Sequence, residues 1–256
     1  MILGINACRA RSGGGIAHLK GILMDLEPSQ FGIKRVHVWA YAELLSSLPD
    51  EDWLVKHQPR ELDSSLLKQL LWERFKLPLE VNKFHCSLLL NVDAGSVCRF
   101  QPAVMMSRDM LSYEPGEIER FGLSVSRLRL YVLRYVQNSS LKFADGTIFL
   151  TKYASHVIQK SCGELENIAY IPHGVGSEFQ AVSPSQSWSE GNGRPFKCLY
   201  ISNAALYKHQ WHVVAAVEKL IKQGFNIELE LVGGGEGKAQ KMLETQINIS
   251  DPNRDF

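Results

Sequence analysis

The chain has 256 residues, 45% of them hydrophobic, and sets 28 Lys+Arg against 27 Asp+Glu for a net charge of +1. The apolar fraction excludes a disordered chain, and the balanced charge removes the electrostatic case for a dedicated nucleic-acid binder. No apolar run reaches the ~18 residues of a transmembrane helix. At roughly 100–200 residues per domain, the length is generous for one domain and short for two. In the opening segment MILGINACRARSGGG the arginines follow the apolar stretch, the reverse of the order in a signal peptide. Cys8, Cys86, Cys98, Cys162 and Cys198 are odd in number and form no CxxC pair. Neither a disulfide framework nor a zinc site is signalled, and a cytoplasmic location is expected.

Residues 2–7 form an apolar run that ends in the polar, glycine-rich turn Arg11-Ser12-Gly13-Gly14-Gly15. Ile16, Leu19, Ile22, Leu23 and Leu26 then recur at helical spacing until Glu27-Pro28. The pattern predicts strand, glycine turn and helix. Residues 36–40 predict a second strand, and 66–75 a helix with Leu67, Leu70, Leu71 and Phe75 on one side. Short buried-type runs follow at 86–92 (CSLLLNV) and 103–107. Residues 123–143 are mostly apolar with Arg127, Arg129, Arg134 and Lys142 interspersed. They suit either a long core helix with snorkelling arginines or a helix lying on an anionic membrane surface. Further short runs stand at 147–150, after Asp145-Gly146, and at 168–171, before Pro172. Short apolar strands alternating with helices indicate an α/β fold with a parallel sheet covered on both faces.

Composition changes at 180–195, QAVSPSQSWSEGNGRP, which is rich in Ser, Gly and Pro and reads as a linker. Behind it, 196–201 predicts a strand and 209–223 a helix with Val213, Val214, Val217, Leu220 and Ile221 on one stripe. Residues 227–232 predict a strand running into Gly233-Gly234-Gly235. Only two strands and two helices fit between the linker and Phe256, whereas a doubly wound sheet carries about five or six strands. The predicted organisation is a complete Rossmann-like domain over 1–180, a linker at 181–195, and the beginning of a second Rossmann-like domain over 196–256. The chain is therefore expected to be part of a longer protein.

Glycines between a strand and a helix let the backbone turn sharply and leave free N–H groups and the positive helix end facing a ligand. Gly13, Gly14 and Gly15 hold that place; the alternative is a tight turn without a ligand. The dinucleotide fingerprint fails, because its third glycine falls at His18. Asp50-Glu51-Asp52 contains a literal D-x-D but lies in a polar segment beside Pro49, which fits a solvated acidic turn. Arg108 and Asp109 follow the 103–107 strand, either as acceptor-side residues at a carboxyl end or as a surface ion pair. Lys208 precedes a helix start, where a lysine can meet a diphosphate. His209 and His212 have no third ligand nearby, so no metal site is expected.

The stretch ADGTIFLTKYASHVIQKSCGELENIAYIPHGV, followed after the linker by FKCLYISNAALYKHQWHVVAAVEKLIKQGFNIELELVGGGEG, resembles the family 4 glycosyltransferases. The opening ILGINACRARSGGGIAHL is similar to that family's first strand and glycine loop. The resemblance implies a GT-B architecture of two facing Rossmann-like domains, with the acceptor site mainly on the first and the nucleotide-sugar site mainly on the second. It implies transfer of a sugar from a nucleotide-diphosphate donor with retention, without a bound metal or other cofactor. Gly13, Gly14 and Gly15 would then lie near the donor diphosphate. Lys208 would contact the diphosphate as a catalytic cation, with Gly233 and Gly234 as the turn after the donor domain's second strand. Arg108 and Asp109 would stand on the acceptor side, Asp109 as a second catalytic group, and His173 and Gly174 of IPHGV at the hinge.

Three departures accompany the resemblance. Arg108-Asp109 stands where many relatives have His-Asp, Ser202-Asn203 offers no arginine after the first strand of the second domain, and Gly176 replaces a common aspartate. The family's E-x7-E motif, which handles donor sugar and ribose, does not occur after Gly237. The chain alone is thus expected to bind donor weakly and transfer nothing. The expected parent reaction is sugar transfer to a glycan or lipid-linked acceptor in cell-envelope polysaccharide synthesis, with peripheral membrane contact through 123–143. The alternatives are a nucleotide-sugar epimerase or phosphorylase on the same fold, or a non-catalytic remnant or binding module.

Overall fold

The computed structural model describes residues 1–11, 13–176 and 194–253. The chain divides into two compact units, Met1–Gln180 and Ala181–Phe256. Most of the predicted linker, 180–195, falls outside the described residues.

In the first unit seven strands form one sheet: β1 (Ile2–Asn6), β2 (Arg35–Trp39), β3 (Leu54–His57), β4 (Leu88–Asn91), β5 (Ala103–Ser107), β6 (Gly146–Phe149) and β7 (Ile168–Tyr170). The spatial order is β3-β2-β1-β4-β5-β6-β7, and every neighbouring pair is parallel. The chain winds outward from β1 to β3, returns to β4 beside β1, and winds outward the other way. That reversal makes a crevice at the carboxyl ends of β1 and β4, where ligands of open α/β sheets bind. Asn6 and Asn91 are register partners at this point.

Alternation along the strands fills two layers. Ile5, Val36 and Val38 face a core with Leu19 and Leu23 of α1 (Gly14–Met24) and Leu44 of α2 (Ala42–Ser47). Trp39 and Leu89 face the opposite layer with Trp72, Leu77 and Val81. A third cluster joins Met105 and Phe149 to Leu141 of α5 (Val125–Phe143) and Ile158 of α6 (Lys152–Cys162). The two long helices begin on side-chain caps. Ser124 accepts from the Arg127 amide, and Thr151 from that of Ala154, each satisfying an amide that the helix start leaves unpaired.

Two sequence expectations need correction. The sequence predicts no strand at 54–57; Leu-Val-Lys-His is short and half-polar, and among the described strands it pairs only with β2, at the sheet edge. The helix predicted at 66–75 exists as α3 (Leu66–Leu71), continues through a π-turn (Trp72–Lys76), and becomes α4 (Leu77–Lys83). Its leucine side is not its core side. Gln69, Trp72, Glu73, Leu77 and Val81 are buried, whereas Leu66, Leu67, Leu71, Phe75 and Leu79 are exposed. Gln69, Trp72 and Glu73 share one face by ordinary helical spacing, and the extra residue of the π-turn keeps Leu77 and Val81 on the same side.

The second unit contains β8 (Phe196–Ile201), α7 (Gln210–Lys222), β9 (Ile227–Val232) and α8 (Gly237–Ser250). β8 and β9 pair in parallel. Trp211, Val214 and Val217 of α7 and Ala239 and Leu243 of α8 are buried, while Leu199, Ile201 and Val232 are exposed on the strand pair.

Candidate functional site

The site in the first unit is built from the loops that leave the carboxyl ends of β1, β4, β5 and β7. Beneath it lies a buried polar network. The Asn6 Nδ2 donates to Glu73 Oε1 at 2.9 Å and to Asn91 Oδ1 at 2.8 Å. Ser96 Oγ donates to Asn91 Oδ1 at 2.9 Å, and the Cys8 amide to Asn6 Oδ1 at 3.3 Å. Arg9 donates to Glu73 Oε2 at 2.8 Å, and Arg11 to Gln69 Oε1 at 2.6 Å. Buried polar groups persist only when hydrogen-bonded. Here they tie the loop after β1 to the 69–73 segment.

That loop delivers the chain to Gly13, whose φ of 63° lies in the left-handed region that favours glycine. α1 begins at Gly14 with no acidic residue in its first turn. Arg108, just beyond β5, lays its guanidinium on Gly15: a Cβ at Gly15 would sit 2.6 Å from Nη1. The glycine is therefore needed for that arginine. Arg108 meets Asp93 only at 4.0 Å, and its buried Nε has no hydrogen-bond partner among the described residues. Asp93 instead accepts from the Gly95 amide at 2.7 Å. Burial pushes the Asp93 carboxyl up and the Arg108 guanidinium down, each only partly offset by the other. A desolvated, weakly paired guanidinium beside the positive end of a helix favours an anion.

His18, on the second turn of α1, meets the exposed His173 edge-on, with ring centroids 4.2 Å apart. Burial, then His173, then Arg108 lower the His18 pKa to about 4, so the ring is neutral near pH 7. His173 and Gly174 are thus placed in the first unit, with the His173 ring against α1. Asp109 is exposed and accepts from the Leu111 amide at 2.9 Å in its own turn. The Asp50-Glu51-Asp52 segment is exposed, and Asp50 pairs with Lys56 at 2.5 Å.

In the second unit, Lys208 is exposed on a short 3-10 turn (Leu206–Lys208) directly before α7. Its carbonyl accepts from Tyr200 Oη at 2.5 Å, and its Nζ lies 5.4 Å from the Tyr207 ring centre. Gln210 is buried and donates to the Ser202 carbonyl at 2.8 Å, and its Oε1 has no partner among the described residues. Gly233, at φ 140°, sits on the same carbonyl: a Cβ there would be 2.3 Å from the Ser202 oxygen. Gly234 has open space around it, and Gly235 bridges Ala204. Among the described residues no three His, Cys, Asp or Glu side chains form a group able to hold a metal ion.

No protein-family model matches the sequence, and no curated protein matches it. Solved structures do match. Similarity to the lipopolysaccharide outer core galactosyltransferase WaaB in its apo form covers 97% of this chain and 64% of that one, at a TM-score of 0.60 and 10% identity. Similarity to sucrose-phosphate synthase from Thermosynechococcus elongatus covers 99% and 68%, at 0.59 and 15%. The fold is of the GT-B type. A Listeria monocytogenes protein assigned as a UDP-N-acetylglucosamine 2-epimerase also matches, over 97% and 65%, at 0.50 and 9%. The chain thus spans about two thirds of the length of these GT-B structures. Within the GT-B fold, Gly15 and Arg108 are brought together, and Gly13 and Gly14 stand at the same helix start. The sequence reading gives no role to His18, Asp93, Glu73 or Gly235; His18 carries a signal as the residue at the third glycine position of the fingerprint, and Gly235 as the last of its glycine run.

Proposed function

We propose that the chain is the acceptor-side domain and the start of the nucleotide-sugar domain of a retaining glycosyltransferase of the family 4 kind. In this reading the whole enzyme moves a sugar from a nucleotide diphosphate to a glycan or lipid-linked acceptor on the cytoplasmic side, in cell-envelope polysaccharide synthesis, and this chain alone binds donor weakly and transfers none. The observation that supports it best is Arg108, a guanidinium seated on a glycine at the topological switch point without an adequate carboxylate partner.

Breaking the bond between sugar and diphosphate builds negative charge on the diphosphate oxygens, and a preorganised cation acts most strongly where charge develops. In the second unit Lys208 and the start of α7 take that role, with Gly233 and Gly234 as the adjoining turn. In the first unit Gly13, Gly14 and Gly15 with Arg108 hold an anionic oxygen. Asp109 faces the acceptor, and His18 offers it a neutral imidazole. The positive charge comes from side chains and helix starts, so a metal is not called for.

The similarity to a nucleotide-sugar epimerase supports a second activity on this fold, which would convert donor with no acceptor present. Calorimetric titration with nucleotide-diphosphate sugars tests the first. Weak, saturable binding is expected, reduced about tenfold or more in Lys208→Ala, as for loss of a hydrogen bond to a charged group. Unchanged binding in Lys208→Ala would return that lysine to the surface.

A further inference from the structure

The outer face of the first unit carries an apolar surface that the sugar chemistry does not use. On α5, Val125, Leu128, Tyr131, Val132 and Tyr135 share one sector of about 120° at 3.6 residues per turn, and all five are exposed, Tyr135 by 76%. The opposite side of α5, through Leu130, Gln137, Ser140 and Leu141, is the side buried in the fold. On α3, α4 and the π-turn between them, Leu66, Leu67, Leu71, Phe75 and Leu79 are also exposed. A groove of about 350 Å³ joins the two helical segments, with Leu71, Arg74 and Phe75 on one wall and Arg99, Tyr135 and Val136 on the other. Exposed apolar surface of this continuity marks an interaction site.

Charge identifies the partner. Residues 123–143 contain Arg127, Arg129, Arg134 and Lys142 and no acidic residue. Residues 64–83 contain two acids, and both are engaged inward: Glu73 with Asn6 and Arg9, Glu80 with the indoles of Trp39 and Trp72. Among the described residues, Arg74, Arg99, Arg127, Arg129, Arg134 and Lys142 enter no ion pair. Arg127 and Arg134 lie over the Tyr131 ring, at 5.9 and 5.2 Å, and Arg99 over Phe143 at 4.8 Å. In a chain of net charge +1 this cationic surface is segregated. Aliphatic side chains, interfacial tyrosines and a border of arginines suit a bilayer surface with anionic headgroups. No helix among the described residues is long and apolar enough to cross a membrane.

We propose that the face formed by α3, α4 and α5 lies on an anionic phospholipid bilayer, its leucines and aromatics entering the headgroup boundary and Arg74 and Arg99 receiving a lipid phosphate in the groove. The proposal does not depend on the sugar-transfer reading. Flotation of the full chain with phosphatidylcholine vesicles, with and without phosphatidylglycerol, tests it. Binding is expected only with phosphatidylglycerol and is expected to weaken as salt rises. Arg129→Ala is expected to lower it about fivefold. Tyr135→Glu and Phe75→Glu, both exposed, should abolish it while the circular dichroism spectrum stays unchanged. Absence of flotation with anionic vesicles at low salt overturns the proposal, as does equal binding to neutral vesicles. A dimer in sedimentation that Tyr135→Glu dissolves, without vesicle binding, overturns it in favour of a second copy of the chain.

Discussion

The loop after β1 and the loop after β8 do the same topological job by different means. In the first unit the loop is held by side chains: Asn6, Arg9 and Arg11 reach Glu73, Asn91 and Gln69. In the second unit it is held largely by backbone, with Gly233 against the Ser202 carbonyl and Ala204 bridging Gly235. Side-chain networks rigidify a site at the risk of unsatisfied buried groups. Close backbone approach instead depends on the glycines. The two loops should therefore fail in different ways when mutated.

The largest effect is expected at Glu73, which is 1% exposed. Glu73→Ala strands Arg9 and Asn6, and breaking a buried pair from one side costs about 3 kcal/mol or more, to be read from urea unfolding. Gly233→Ala comes next, at about 2–3 kcal/mol, because the new Cβ meets backbone at a strained φ. Gly15→Ala sharpens the contrast. Its Cβ meets only the flexible tip of Arg108, so stability should change by less than about 1 kcal/mol. Anion binding to the first unit, read by titration with inorganic diphosphate, should fall as far as in Arg108→Ala. Gly14→Ala, with open space around it, should be neutral or stabilising by about 0.5 kcal/mol.

A pH series probes the first unit alone. His37 and His57 contact each other at 2.9 Å between Nδ1 and Nε2 and stack with Trp39 at the β2–β3 edge. Burial, then His57, then Arg35 lower the His37 pKa to about 4, and burial lowers that of His57. A histidine depressed in the fold takes up its proton more readily when unfolded. The stabilising contribution is therefore intact above pH ~6.5 and lost as pH falls toward ~4. Urea midpoints should drop between pH 7 and 5, and His37→Gln should reduce that slope, leaving the shares of His57 and of His18. The smallest stability effect is expected for Lys208→Ala: the side chain is exposed, so the change should stay within about 0.5 kcal/mol while nucleotide-sugar binding weakens.

Most strands were legible as short apolar runs, because a parallel sheet covered on both faces needs them. The Leu-Val-Lys-His edge strand was not, since one neighbour and one polar half leave little signal. Periodicity found the 66–75 helix but not its direction. A leucine stripe marks an amphipathic face without saying whether protein covers it, and here Gln69, Trp72 and Glu73 turn inward instead. At the candidate site, the glycines and Arg108 could be nominated from their places after strands. The reason for Gly15, a guanidinium 93 positions away, and the meeting of His18 with His173 arise only when the sheet brings those loops to one edge.

Chemical-shift mapping of the backbone amides during titration with a nucleotide-diphosphate sugar shows whether both loops meet the donor. Shifts are expected at Gly13, Gly14 and Gly15 in the first unit and at Lys208 and Gln210 in the second, with Arg108→Ala removing the first set and Lys208→Ala the second. Shifts confined to the crevice of about 550 Å³ lined by Trp211, Lys238 and Lys241, unchanged in both variants, would contradict the account.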